Sequence, residues 1–311
     1  MLDGVMLLWF ILTGLSVAYV AIDILTTPEA TVMKWGFVIL TCFAGPLGAF
    51  FYVLGCREPL PGTHEAYVSA RWRQVLGSTM HCAAGDGLGI VVGAAIGSML
   101  DLGMAVDIAL EYGLGFGFGW LFFQAFAMRD MAGGDYLKSL RMTFIPEFFS
   151  MNILMVGMLI VSKFWMPAVE GAGAPSSPAF WFIMSIALVA GFLCAYPMNW
   201  WLVTRHLKHG MMTVRPKKQD DAMTGMADMV DMNGGEHAGH DMHAGHEQHA
   251  GHDMHAGHAG MQHGGDEHGG HDMAAMAPNR PSSAALLGMG TLSVVLLAVA
   301  VGIVMIYAPQ G

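Results

Sequence analysis

Histidine and methionine recur in a repeat toward the end of the sequence. The unit is His-Ala-Gly-His, an acid or amide, and Met, and 11 of the 15 histidines lie between His237 and His271. Imidazole and thioether groups together suit copper first, with zinc and nickel as alternatives. The alternative is a polar linker of biased composition. We predict a multi-site metal-binding tract with the ligands His237, His240, Met242, His243, His246, His249, His252, Met254, His255 and His258.

A second group of potential ligands lies inside an apolar segment, at His81, Cys82 and Asp86. Ionisable groups at membrane depth cost about 2.5–3.5 kcal/mol each, so they usually face a protein interior and have a function. Cys82 and Asp86 are four residues apart and share a helix face, whereas His81 lies about 100° round the helix. We expect a metal site here. The alternative is that these groups only form hydrogen bonds to neighbouring helices.

Glu147, Met151, Met155 and Met158 follow Pro146 at the spacing of one helix face. A carboxylate heading a row of thioethers could pass Cu(I) along, although Met rows more often serve packing. Pro146 removes a backbone donor and loosens the preceding turn, as in transporters that expose carbonyls beside a substrate. Asp107 and Glu111 share another helix face and are weaker candidates.

The elements that must position these groups are membrane helices. Apolar residues make up 54% of the chain and charged residues 12%, and the mean hydropathy is +0.50. Windows of about 20 apolar residues fit a bilayer core. We predict an all-α, polytopic membrane helix bundle of about seven spans with a disordered His/Met-rich linker. The windows lie near 5–25, 35–55, 75–100, 104–128, 143–165, 179–203 and 285–307, and the first is expected to be retained rather than cleaved.

Basic residues predict the orientation, because they concentrate in cytoplasmic loops. When successive loops are assigned to alternate sides, Lys34 and Lys163 fall on one side and the other twelve lysines and arginines fall on the opposite side. The alternation therefore places the N-terminus and the His/Met tract in the cytoplasm and the C-terminus outside.

Several blocks of the sequence resemble a bacterial membrane-protein family catalogued as domain of unknown function 4396. They are Ala44-Gly45-Pro46-Leu47-Gly48 with Tyr52, His81-Cys82-Ala83-Ala84-Gly85 with Leu88-Gly89, Glu147 with Ser150 and Gly157-Met158, and above all Gly191 to Leu202, which contains Tyr196-Pro197-Met198-Asn199-Trp200-Trp201. The resemblance covers about residues 35–211 and implies a multi-helix membrane core. Family members often have another Cys at the position of Asp86, which leaves the ligand set open.

This resemblance and the hydropathy divide the chain into four regions. They are an N-terminal span (1–34), the family core (35–211), the His/Met-rich linker (212–283) and a C-terminal span (284–311).

Together these patterns predict a metal-handling protein of the bacterial inner membrane, for copper binding, transport or tolerance. Its partners would be the lipid bilayer, metal ions and a metallochaperone or cuproprotein, with an oligomer as an open alternative. The chain has no Walker-type phosphate loop and no basic patch typical of nucleic-acid binding, and its four cysteines show no disulfide or zinc-ribbon spacing. We expect binding or transport rather than catalysis. The alternative is a membrane oxidoreductase or cuproenzyme assembly factor that holds a metal or haem.

Overall fold

The computed structural model describes residues 2–129, 132–210 and 281–309, and within them the chain is helical, without strands. Among these described residues, six helices are long and apolar enough to cross a membrane. About two-thirds of the most apolar window of α5 and of α7 is buried, against 6% for α1. The helices are α1 Leu2–Asp23, α2 Thr31–Ala44, α3 Pro46–Gly55, α4 His64–Val68, α5 Arg71–Met99, α6 Met104–Ala127, α7 Tyr136–Trp165, α8 Pro178–Thr204 and α9 Ser283–Tyr307.

The sequence predicted one membrane span over residues 35–55. The structure has a hairpin of two short helices there. Gly45 adopts φ +58°, a left-handed conformation that suits glycine, and Pro46 then begins α3. The two helices return close together, because a Cβ on Gly48 would lie 2.7 Å from Thr41 Cα. The turn reaches α1 near Trp9 and Thr13, so the hairpin enters the bundle and turns back inside it.

This hairpin changes which chain segments share an end of the bundle. Asp23, at the end of α1, accepts hydrogen bonds from Arg57 Nε at 2.8 and 3.0 Å, so the segments before and after the hairpin lie together. At the opposite end, Met6 packs in a cluster with Val169 and Ala172. The N-terminus of α1 therefore lies at the end of the described helices opposite the end at which α8 reaches Arg205, and the side of the membrane that each end faces stays a prediction.

Because the 24–34 segment lies at the same end of the bundle as Arg57, Lys34 lies at that end as well. Its ammonium donates to Leu25 O at 3.2 Å, at the same end as Arg57. Within the described ranges, Lys163 is then the single lysine or arginine at the opposite end. We name the two ends the basic end and the Lys163 end.

Glycines allow α5 and α6 to pack closely. Gly85, Gly89, Gly93 and Gly97 occur every fourth residue along one face of α5 and contact α6. A Cβ on Gly93 would lie 2.7 Å from Glu111 Cα, and one on Gly85 would lie 3.0 Å from Gly119 Cα. Small residues stabilise membrane helix pairs in this way, since lipid supplies no hydrophobic force between helices.

Hydrogen bonds between buried side chains connect the remaining helices. Asn199 on α8 donates to Ser150 Oγ on α7 at 3.0 Å, so this Asn reaches into the bundle as well as back to its own helix. Asn152 on α7 donates to Ser293 Oγ on α9 at 3.1 Å and accepts from Tyr112 on α6. Such bonds contribute about 0.6 kcal/mol each in membranes, so their main effect is to fix the register of the helices.

Candidate functional site

Four buried side chains meet between α5, α6 and α7 near the basic end. The Cys82 thiol donates to Glu147 Oε2 at 3.4 Å, and Gln124 Nε2 donates to Cys82 Sγ at 2.8 Å. Lys208, which follows α8, donates to Cys82 Sγ and, at 3.3 Å, to Glu147 Oε2. Cys82 and Glu147 are completely buried and Lys208 is nearly so. We call these residues, with Asp86, the core cluster.

Asp86 lies beside Glu147, one helical turn from Cys82. The two carboxyl groups approach the same backbone position, Gly119 on α6. A methyl group there would collide with Asp86 Oδ1 and lie 2.7 Å from Glu147 Oε1. Two carboxyls and a thiol are buried around one lysine, so the groups that can carry a negative charge outnumber the cation, which is a setting for a metal ion or for bound protons.

The position of Lys208 depends on how α8 ends. His206 adopts φ +54°, which is uncommon for a residue with a side chain. Leu207 N then donates to Leu202 O at 3.0 Å, and the chain turns so that Lys208 enters the bundle instead of pointing to the surface. Burial opposes the charge of Lys208, but the neighbouring Cys82 and Glu147 outweigh it and raise the pKa of Lys208 above its usual value. The ammonium therefore supplies a positive charge to the core cluster.

The helix α6 is irregular where it passes the core cluster. Residues Phe118–Gln124 form a π-helix, which is rare and is often found at functional sites. Its wider turn begins next to Gly119 and ends at Gln124, the residues that contact Asp86 and Cys82. The distortion thus brings an amide donor and a backbone without a side chain to the same cluster.

His81 does not join the core cluster. Its ring packs edge-on against Phe123 at 5.4 Å between centroids, and its Nε2 is buried with no hydrogen-bond partner among the described residues. His81 instead lines a cavity of about 320 Å³ at the basic end, together with Glu29, Gln124, Met128 and His209. The structure therefore brings Cys82, Asp86 and Glu147 together and places His81 in the adjoining cavity.

The row of methionines below Glu147 lies in the apolar core. Met151, Met155 and Met158 are fully or almost fully buried. A Cβ on Gly115 would lie 2.6 Å from the Met151 methyl, and one on Gly191 would lie 2.8 Å from Met158 Cγ. These contacts account for packing, and the ligand roles predicted for Met151 and Met155 remain predictions.

A separate charged group lies toward the Lys163 end. Lys163 Nζ donates to Asp107 Oδ2 at 2.5 Å and to Glu111 Oε1 at 2.7 Å. Asp107 and Glu111 share a helix face, as predicted, but the lysine that contacts both carboxylates lies 52 and 56 residues away. One lysine between two carboxylates compensates part of their charge and links α6 to α7.

Three cavities surround the segment from His206 to Gly210. Besides the cavity lined by His81, one of about 290 Å³ includes Arg71 and Gln74, and one of about 300 Å³ includes Thr143, Pro146 and Pro281. His209 lines all three. Burial, with a smaller effect of His206, lowers the pKa of His209, which favours the neutral imidazole that can bind a metal.

The predicted ligands of the His/Met tract, from His237 to His258, lie outside the described residues.

Two members of the core cluster were not found from the sequence. Gln124 is one polar residue in an aromatic segment, a pattern that gives no signal of a site. Lys208 was counted only as a basic residue beside a membrane span.

Residues 71–208 match the family model described as Domain of unknown function (DUF4396). The match covers the core cluster and ends at Lys208. It begins after the α2–α3 hairpin, so it is shorter at its start than the range 35–211 suggested by the resemblance. No curated protein and no solved structure matches the chain.

Proposed function

The membrane core of this chain belongs to the DUF4396 family, a membership that assigns no activity, and we propose that the protein binds and moves a transition-metal ion across or into the membrane. Copper is the first choice, with zinc or nickel as alternatives. The observation that carries the proposal is the core cluster, in which Cys82, Asp86 and Glu147 are buried together at membrane depth with one lysine.

The ligand chemistry of the core cluster supports a borderline metal. A thiol and two carboxyls provide sulfur and oxygen donors, and His81 and His209 in the adjoining cavity add nitrogen donors. Thiolate favours Cu(I) and Zn(II) over hard ions such as Mg²⁺ and Ca²⁺. Thiol ligands bind as thiolates, so loading Cys82 releases its proton, and the same coupling could link metal movement to a proton gradient.

The basic end supplies the route to the core cluster. The cavity of about 320 Å³ contacts both His81 and Gln124, and Gln124 donates to Cys82. The chain continues from Gly210, which also lines that cavity, into the His/Met tract. Ions captured by the tract would therefore be released beside the cavity.

Lys208 has a specific part in this mechanism. Its ammonium occupies the position next to Cys82 and Glu147 that an incoming cation would take. Binding of a metal ion requires that Lys208 withdraws, because two cations within a few ångströms in a buried site repel strongly. Withdrawal would move the short His206–Gly210 segment, which lines the cavities.

The orientation belongs to the same proposal. Basic residues mark the cytoplasmic side in short loops, so we assign the basic end and the tract to the cytoplasm. The α2–α3 hairpin starts and ends at the basic end and so adds no crossing. Six crossings then place both termini on the outer side. Ions captured in the cytoplasm would then leave outward, as expected of copper tolerance.

Metal content of purified variants tests the proposal. We compare the intact protein, a deletion of residues 220–276, and that deletion combined with Cys82→Ser, each equilibrated with Cu(I) or Zn(II). We expect the deletion to remove most bound metal but leave the ions held by the membrane core, and Cys82→Ser to lower that remainder by about one ion per chain. Cys42→Ser is the matched control, because Cys42 is exposed on α2 outside the cluster.

Two results would contradict this function. Equal metal content with and without residues 220–276 would make the tract a passive linker. Unchanged metal content in Cys82→Ser would leave the core cluster as cross-bracing between helices. An intense visible absorption band from a bound haem in the purified protein would instead favour the membrane oxidoreductase or assembly factor.

A further inference from the structure

Three potential metal ligands meet at the base of the α2–α3 hairpin, outside the core cluster. Glu29 precedes α2, Cys56 follows α3, and His64 begins α4. Their ligand atoms all lie within 4.8 Å of one another. His64 Nε2 is 3.7 Å from Glu29 Oε1 and 4.0 Å from Cys56 Sγ, and all three residues are buried.

These distances suit a tetrahedral ion after a small contraction. Zinc bonds of about 2.0–2.3 Å, at tetrahedral angles, separate neighbouring ligand atoms by roughly 3.3–3.6 Å. Cys56 and His64 need to approach each other by only a few tenths of an ångström. Their donor types, thiolate and imidazole with one carboxylate, are those of known zinc sites.

Glu29 gives an independent sign that a ligand belongs here. Its side chain is buried, yet neither carboxylate oxygen has a hydrogen-bond partner among the described residues. Burying a carboxyl group without such partners costs several kcal/mol. A cation at the centre of the three donors would bind one or both oxygens and remove that cost.

We propose that Glu29, Cys56 and His64 form a binding site for a divalent ion of the zinc class. The charges fit: thiolate and carboxylate together carry two negative charges, which a divalent ion neutralises. On loading, the S–H bond of Cys56 breaks and its proton leaves to solvent, along with the carboxyl proton when Glu29 is protonated. Three protein donors leave the fourth position for a water molecule.

The site would hold the hairpin in place. The α2–α3 hairpin consists of helices of 14 and 10 residues, too short to span a bilayer individually. Glu29 and Cys56 flank its two ends, and His64 ties them to the segment that leads into α5. All three residues precede the family match at residues 71–208, so the site belongs to a part of this chain that is distinct from the family core.

A cavity at the basic end gives access to the site. Glu29 lines the cavity of about 320 Å³ that also contains His81 and His209. An ion that enters at the basic end reaches Glu29 without crossing the core cluster. The site therefore stands whether or not the core cluster carries metal.

Co(II) added to the full-length protein provides the test, since Co(II) replaces Zn(II) and gives a strong thiolate-to-metal absorption band. The His/Met tract contains no cysteine and so adds nothing to this band. We expect the band in the intact protein, its loss or clear reduction in Cys56→Ser, and displacement of Co(II) by Zn(II). Cys42→Ser is the control, because Cys42 is exposed.

Glu29→Gln is the second variant, because it keeps the shape of the side chain and removes the charge. We expect it to weaken Co(II) binding at the Cys56-dependent band at least about tenfold. Zn(II) should raise the unfolding temperature of the intact protein by more than that of Glu29→Gln. This variant keeps the proposal testable if Cys56→Ser fails to fold.

The outcomes separate this site from the core cluster. A band that is undiminished in Cys56→Ser and disappears in Cys82→Ser overturns the proposal and assigns the thiolate to the core cluster. No band in the intact protein overturns it as well. A band that depends on Cys56 and persists in Cys82→Ser supports it even if the proposed function fails.

Discussion

Lys208 donates a hydrogen bond to Glu147 Oε2 at 3.3 Å although the two residues are 61 positions apart in the sequence. The bond joins the segment after α8 to the middle of α7, next to Pro146. Because both partners are buried, this contact connects the chain that leads into the His/Met tract directly with the interior of the bundle.

Replacing Lys208 by Gln should change stability and metal affinity in opposite directions. Without metal, the buried carboxyls lose their counter-charge, and breaking such a pair costs about 3 kcal/mol. With metal, the competing ammonium is gone, so binding should tighten about tenfold or more. Thermal unfolding and Zn(II) titration of the protein lacking residues 220–276 measure the two effects.

Lys138→Gln is the control for that experiment, since Lys138 is exposed near the same end of the bundle. A Lys208→Gln protein with weaker metal binding would show that Lys208 positions ligands and is not a competitor of the ion.

Gly119→Ala should disrupt the core cluster by adding a single methyl group. Its Cβ would collide with Asp86 Oδ1 and stand 2.7 Å from Glu147 Oε1, so the two carboxyls must separate. We expect at least about a tenfold loss of metal affinity in the protein without the tract, measured by competition with a metal indicator. Gly117→Ala, on the same helix with nothing within 4 Å of its Cβ, should bind like the parent protein.

Lys163→Met should destabilise the bundle through the Asp107 and Glu111 carboxylates. Both would lose their shared cation, and Glu111 is almost completely buried. We expect a loss of about 2–3 kcal/mol, reduced from the range for fully buried pairs because Asp107 and Lys163 are partly exposed. Adding Glu111→Gln should restore part of the unfolding temperature. No restoration would mean that Lys163 acts through packing of its alkyl chain.

Reporters of membrane sidedness should follow the six-crossing arrangement. A reporter before Leu2 and one after Pro309 should behave alike, as extracytoplasmic, whereas one inserted near Gly234 should be cytoplasmic. Activity of the N-terminal reporter on the same side as the one near Gly234 would restore the seven-span alternation and contradict the hairpin.

The sequence predicted the helices well where one apolar run is long and uninterrupted. The prediction of one span over residues 35–55 rested on hydropathy alone. Gly45-Pro46 in the middle of this run permits a turn, and a hydropathy average does not detect turns. A reversal at this point matters for the rest of the chain, since the number of crossings before α5 determines which end of the bundle holds each connection.

The candidate site was predictable in part. Helical periodicity placed Cys82 and Asp86 on one face and separated His81 from them, which the structure confirms. Helical periodicity could not find Lys208, whose position depends on the left-handed turn at His206, or Gln124, which the π-helix directs toward Cys82. The Glu29, Cys56 and His64 group was also missed, because Glu29 precedes the α2–α3 hairpin and the other two residues follow it, so no helical periodicity relates them.

His209 and Pro281 line the same cavity, so the two described chain segments that connect to the His/Met tract start from one place at the basic end. Since n residues extend at most about 3.5 Å each, no histidine in the tract can lie farther than about 120 Å from that cavity. One ion confined within this radius corresponds to a local concentration on the order of 0.1 mM. If the tract binds copper as proposed, every ion that it holds stays within this radius of the cavity.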